Sequence, residues 1–470
     1  MKKGILILAI TITALISPAF CTETKHASIE KHGLSFEQAY ELMITNNNAI
    51  KATYQEIEVK KYEKRAAAGH FLPKVVINTT ATHFDGDIQV DKGTFSLGSV
   101  IPPIPLGQIK LQDQNLLTAS GGVIWNIFTG GKIIAMNSAA RAKLEATNEK
   151  YKQITNELTI ELVKRYYGLR LAEDLIEVRK QVLETTQKHL SNAIKLEKEG
   201  IISTSERLHA DVAYAQAKRD FEAATRDRNI IEEGLKSLIK ADDVDLSNVS
   251  ITTDSELFIY KKDIDTLNEF KELAIKENPQ LKQLDAKQKL AQANYVAKAA
   301  SYSPTVSLFA YDIFASKNQS YQLPSYAVGG SVNWVLFDGL SRFNELKAAN
   351  HLREQVKYEQ ANARNNIRSL VTKKYEEVLK NKEQYDSSNA AIKSANEAQR
   401  TAILAFDEGL GTSLEVTDAQ TALLGVKIQR LNSIYNYDVA LVELLSTHGS
   451  AEEILEYIKE SAKERLWIKK

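Results

Sequence analysis

Two stretches of about 70 residues, one ending at Gly200 and the other at Gly409, carry apolar side chains at every seventh position. Leu162, Leu169, Ile176, Leu183 and Leu190 mark the first, and Val371, Val378, Tyr385 and Ile392 mark the second. Seven is the period of helices that lie side by side in coiled packing. At 1.5 Å per residue each helix would be about 105 Å long, far beyond the width of a globular domain. The chain must therefore build an elongated helical assembly. Only eight prolines in 470 residues agree with a mostly helical fold. Heptads alone leave a soluble coiled coil open.

The two helices belong to an internal repeat. Residues 36–50 match a stretch about 231 residues further on, with Leu42 on Leu273, Asn47 on Asn278 and Ile50 on Leu281. Pro73 falls on Pro304 at the same offset. Beyond the next hairpin the offset is about 209, placing Trp125 on Trp334, Phe128 on Phe337, Gly130 on Gly339, Gly200 on Gly409 and Glu206 on Glu415. The change in offset is confined to one hairpin loop, because loops tolerate insertion and packed helices do not. The first repeat spans 34–239 and the second 266–446. Each reads helix, strand, strand, long helix, tip and returning helix, with long helices at 132–199 and 340–408 and returning helices at 203–239 and 412–446. A returning helix and the helix that opens its repeat together equal one long helix. Stacked end to end they would shadow it, giving four helical columns per chain. The polar linker 240–262 and the segment 447–470 are expected to form a belt around the middle.

The strands are expected at 74–84, 115–127, 305–314 and 326–337. Val75, Ile77, Thr79 and Ala81 fall on one face of a strand, and Tyr326, Val328, Gly330, Val332 and Trp334 alternate with Ala327, Gly329, Ser331 and Asn333. Period-two patterning of this length suits a tilted strand crossing a membrane, and Trp125 and Trp334 at matched ends suit an interfacial aromatic girdle. An ordinary half-buried hairpin has the same alternation. Residues 85–115, with their Pro-rich run, read as a long irregular loop, and 315–323 as a short polar one. Four strands cannot close a barrel, and an open edge in lipid leaves amides unpaired at several kcal/mol each. Membrane strands would thus have to be pooled among copies, and symmetry alone does not choose between three chains and four.

The tips are 197–213 and 406–422. In both a helix runs into glycine, turns, and restarts with a capping-box pattern, Ser203 with Glu206 and Thr412 with Glu415. Glu415 is explained by that cap. Asp418, one turn on, needs no cap, so the capping pattern leaves it unexplained. His209 occupies the position of Asp418 in the first repeat and reads as a solvated helix-face residue.

The formal net charge is zero, which gives no bias toward nucleic acid or anionic lipid. Lys2 and Lys3 followed by an apolar run over 5–16 and small residues at 17–19 read as an export signal, 1–19. Cys21 is the sole cysteine, so no internal disulfide forms, and the bulky Phe20 before it argues against lipid attachment. No later helix is apolar and long enough to cross a membrane. The histidines lack metal spacing, and there is neither a phosphate loop nor a nucleophile elbow. No enzyme, cofactor or metal site is expected, and energy would have to come from a partner.

Three motifs, duplicated and in order, carry a resemblance. They are the helix with Asn278-Pro279, the strand end Trp334-Val335-Leu336-Phe337-Asp338-Gly339, and Gly409-x-x-x-Ser413-Leu414-Glu415-Val416-x-Asp418-Ala419-Gln420. The chain resembles the TolC-like outer-membrane efflux channels over about 34–447. That resemblance implies a homotrimer with a membrane β-barrel, a periplasmic α-barrel and an equatorial belt. It also implies docking to a periplasmic adaptor and an inner-membrane pump of RND, ABC or MFS type, as the exit duct of a tripartite efflux pump or type I secretion system. The alternative class is a periplasmic or surface coiled-coil scaffold or adhesin. The family's acidic ring falls on Glu415 and Asp418. Its mouth-closing links fall on Ser205 and Glu206, contacted from Phe406 and Gly411, and at the last two this chain lacks the hydroxyl and the basic side chain that make those links.

Overall fold

The computed structural model describes residues 33–97, 101–105, 107–239, 251–260, 264–319 and 326–468. The expected signal 1–19, Cys21 and residues 240–250 and 261–262 of the expected linker lie outside the described residues. Each repeat opens with a helix that is broken once. α1 (Phe36–Asn46) and α2 (Asn48–Gly69) meet at Asn47, and α5 (Leu267–Glu277) and α6 (Pro279–Ala299) meet at Asn278. Both asparagines are extended, and their side-chain oxygens accept from the first amides of the helix that follows. Where the sequence suggested one continuous helix, a cap divides it in two, and Pro279 stands where no amide is needed.

These two asparagines also join the columns. Asn47 Nδ2 donates to Leu238 O at 3.2 Å, at the end of the returning helix α4 (Thr204–Ile239). Asn278 Nδ2 donates to Thr447 O at 2.7 Å, at the end of α8 (Ser413–Ser446). One side chain thus caps the C-terminus of one helix and the N-terminus of the next, so α4 runs on into α2 and α8 into α6. The long helices α3 (Lys132–Lys198) and α7 (Ser341–Asp407) flank these composite columns over their whole length. In the upper half the row is α2, α3, α6, α7. In the lower half α3 packs against α4 and α8, and α8 against α7.

The main core sits where the columns change helices. Phe36, Tyr166, Tyr167, Phe270, Tyr437 and Leu441 are all at most 1% exposed, and Phe36 meets Tyr166 edge-on at 5.3 Å. Residues 251–260 wrap this core: Ile251 N donates to Glu232 Oε1 at 2.8 Å, Leu34 N donates to Thr252 O at 2.8 Å, and Tyr260 donates to Glu460 at 2.6 Å. The last helix, α9 (Ile454–Ile468), lies beside them. Just outside, Glu443 of α8 accepts from Lys164 of α3 at 2.7 Å and from Lys374 of α7 at 2.6 Å. Burial pushes its carboxyl up, but the two lysines outweigh burial and hold it below the usual range.

At the other end the sheet order is β1 (Lys74–His83), β5 (Gln108–Phe128), β6 (Thr305–Gln319), β7 (Tyr326–Asn333), antiparallel throughout. Each strand neighbours the helix that leads into or out of it, so strands and upper helices share one order. Three strand boundaries differ from expectation. The supposed irregular loop 85–115 contains β2 (Ile88–Asp91), which pairs with an early-starting β5, and the small hairpin β3 (Thr94–Leu97) with β4 (Ile101–Pro105). Strand β6 continues into the expected polar loop 315–323, where it still pairs with β5. Strand β7 stops at Asn333 rather than 337, because its partner begins at Thr305, directly after Pro304, which has no amide to donate.

The register places Val75, Val123, Ala310 and Val328 on one face, and Val76, Gly122, Tyr311 and Ala327 on the other. On that second face Phe309 lies over Gly329, where an added Cβ would come within 2.7 Å of the ring. At the helix–strand elbows the two tryptophans make matched bonds. Trp125 Nε1 donates to Phe71 O at 2.9 Å, and Trp334 Nε1 donates to Tyr302 O at 3.1 Å. Each satisfies a carbonyl left over at a helix end two residues before a proline.

The junction generates the first prediction. Asn278→Ala removes a helix cap and leaves a buried carbonyl unpaired, a loss of about 1–3 kcal/mol. Thermal unfolding of the purified protein should shift to lower temperature, and by more than for Asn47→Ala, whose site is only half-buried.

Candidate functional site: the helical tips

The tips are built by two helix reversals. Gly200 and Gly409 take left-handed conformations, φ 75° and 74°, that few other residues adopt, and each reversal closes with backbone bonds to the preceding helix. The second hairpin forms the full capping box: Glu415 N donates to Thr412 Oγ1 at 3.2 Å and Thr412 N to Glu415 Oε2 at 2.9 Å. Gly411 fits tightly, since a Cβ there would lie 3.1 Å from that of Ala405.

In the first hairpin only half of the expected box forms. Glu206 N donates to Ser203 Oγ at 3.4 Å, but the Glu206 carboxylate turns to the other hairpin and accepts from Ser413 N at 2.7 Å. An amide at the start of α8 is an orphan donor, and a carboxylate there also faces the positive end of the helix dipole. Glu206 therefore caps α8 rather than its own helix. Sequence spacing could not separate the two, because the cap residues are the same.

Phe406, expected as a mouth-closing contact, is fully buried. With Ala193, Ala210 and Val416 it forms a small core separate from the equatorial one. The ring beside it is His189, a residue that sequence reasoning left among the scattered histidines. Its centroid lies 4.5 Å from that of Phe406, edge to face, and its Nε2 lies 2.8 Å from Ser413 Oγ. Burial holds the His189 pKa below its ordinary 6.5, against the pull of the Asp407 and Glu206 carboxylates. Asn192, one turn on, donates to Asp407 Oδ1 at 3.2 Å. Four helix ends thus meet at one seam. The only signal in the sequence was that His189 lies one residue before the heptad position Leu190.

The remaining expected residues lie outside this seam. Asp418, Glu415, Ser205 and His209 are exposed. Asp418 has no ion-pair or hydrogen-bond partner among the described residues. His209 lines a shallow groove with Val212, Thr417 and Thr421. Glu415 and Asp418, on the same exposed turn of α8, are thus placed together, while Ser205 does not join the seam that Glu206 enters.

The seam's apolar plug generates the second prediction. Phe406→Ala empties a fully buried ring site at a cost of about 3–5 kcal/mol. Hydrogen exchange over 402–416 should accelerate strongly, while exchange in the equatorial core stays as in the parent.

With this geometry in hand, comparison with known proteins places the chain. The family model for outer membrane efflux proteins matches residues 39–239 and 271–450. The fold is similar to the outer-membrane channel OprN (17% identity, TM-score 0.73, covering 88% of this chain and 89% of that one). It is likewise similar to the Campylobacter jejuni outer-membrane channel CmeC (14%, 0.72, 91% and 89%) and to the Vibrio cholerae outer-membrane protein VceC (14%, 0.71, 88% and 96%). No curated protein sequence matches. The fold is mainly α with a small β part, and the family is one of channels in the outer membrane, not of enzymes. Matched over both of its repeats, the chain belongs to the outer membrane efflux protein family.

Proposed function

We propose that this chain assembles as a homotrimer and serves as the passive exit duct of a tripartite efflux pump or type I secretion system. The observation that carries this reading is the shared order of strands and helices. β1 and α2 stand at one end of the row, and β7 and α7 at the other. Among the described residues β1 pairs only with β5 and β7 only with β6, so each chain offers two free strand edges. Val75, Ile77, Val328 and Val332, beside those edges, are all at least 68% exposed. Apolar strands with unpaired edges are stable in lipid only when a barrel closes. Pairing β7 of one copy with β1 of the next closes it, and three copies pool twelve strands. The same step sets α7 against the next α2, covering Tyr54, Val59 and Tyr62 on α2 and Tyr358 on α7, all at least half exposed.

Among the described residues no helix is long and apolar enough to cross a membrane. In this arrangement Trp125 and Trp334 sit where barrel passes to tunnel, at the membrane interface. A periplasmic adaptor and an inner-membrane pump would meet the tips and supply energy. Three copies of Glu415 and Asp418 would ring the mouth with carboxylates.

Two measurements test this. Outer-membrane fractions should yield trimers in detergent that dissociate only on heating, and a soluble elongated monomer would refute the duct. In planar bilayers Glu415→Ala with Asp418→Ala should lose cation preference and block by multivalent cations. Selectivity and block equal to the parent's would remove the acidic ring while leaving the duct standing.

A further inference from the structure

We infer that His189 is the in-chain latch of the mouth: its buried ring pins the second hairpin to the first, and a proton on that ring loosens the pair. The inference rests on the duct reading above and goes beyond it, since it names what holds the tips together within one chain.

The two repeats fasten their tips differently. In the first hairpin Arg207 pairs with Glu197 at 2.8 Å and ties the returning helix to the long one. At the matching places of the second hairpin stand Val416 and Phe406, which carry no charge. The second hairpin is fastened through the first instead. His189 of α3 reaches Ser413 Oγ and the face of Phe406, Glu206 of α4 reaches Ser413 N, and Asn192 reaches Asp407. The residue matching His189 in the second repeat is Ala398, so this peg has no mirror image.

The groups around the ring set the direction of its response. Asp407 faces it from the end of α7 and Glu206 from α4, while α8 brings the hydroxyl of Ser413. One turn away on its own helix lie Thr185, Thr186, Asn192 and Ala193. A serine hydroxyl both donates and accepts, so the bond to Ser413 tolerates either charge state of the ring. Burial does not. His189 is 7% exposed, and burial outweighs the two carboxylates in disfavouring the charged ring. Once the hairpins part, solvent returns the ring to its ordinary pKa. The parted form therefore binds the proton more readily than the latched one. The latch is at full strength above about pH 6.5 and weakens as pH falls through the depressed value. Each unit between the two pKa values changes the ratio of latched to parted forms about tenfold.

Trimers in planar bilayers, held at about pH 7.5 and then about pH 5.5 on the tip side, provide the test. The parent should be mostly closed at the higher pH and pass several-fold more current at the lower. His189→Gln keeps a polar partner for Ser413 without a titrating ring, and should stay equally closed at both. Ser413→Ala, which keeps the amide bonded to Glu206, should raise the current at the higher pH. An acid response that survives His189→Gln undiminished, or a Ser413→Ala channel as tightly closed as the parent, would overturn the latch while leaving the duct intact. Heat-resistant trimers in which no variant passes current at any voltage would remove the duct and the latch together.

Discussion

A backbone amide cannot be left bare in lipid, and the arrangement of this molecule follows from that. Strands β1 and β7 stand at the ends of a four-strand row, and neither has a second partner among the described residues. The rest of the fold prepares those edges to be met by other copies. The elbows after α2 and α6 are bonded shut by Trp125 and Trp334, so each strand leaves its helix at a fixed place. The upper helices keep the same order as the strands, so an interface made in the sheet continues down the tunnel without crossing.

The second constraint is length. A column of about 70 residues made from one helix would leave no place to turn the chain inward, and here only half the columns are made that way. The others are spliced from two helices, with one asparagine in each splice serving both ends. Splicing brings carbonyls and amides together at mid-height. The large aromatic core and the partly buried Lys164–Glu443–Lys374 bridge lie at the same level. The larger buried core thus lies at mid-height, and the tip holds a small one of its own.

The tip has specialised by losing symmetry. Both hairpins keep the turn glycine and the acidic residue three places into the next helix, but those acids do different work. Glu415 closes its own helix, while Glu206 closes the helix of the other repeat. A duplicated motif has become a joint between its two copies. The seam is small, with four fully buried apolar residues, a buried serine and a few polar bonds.

Much of this was written in local patterns. The heptads of α3 and α7, the duplication, the alternation in β7, and the Thr412–Glu415 cap depend on residues a few positions apart, so the sequence alone determined them, and with them an elongated, duplicated helical assembly carrying paired strands. Other features join residues far apart in the chain. Asn278 meets Thr447 across 169 positions, Glu206 meets Ser413 across 207, and His189 meets Ser413 across 224. Strand β2, inside 85–115, likewise depends on a partner, the extended β5. At the tip the reason is clearest. A serine, a glutamate and a histidine on helices have many possible partners, and only the packing of two hairpins side by side decided that these three would meet beneath a phenylalanine.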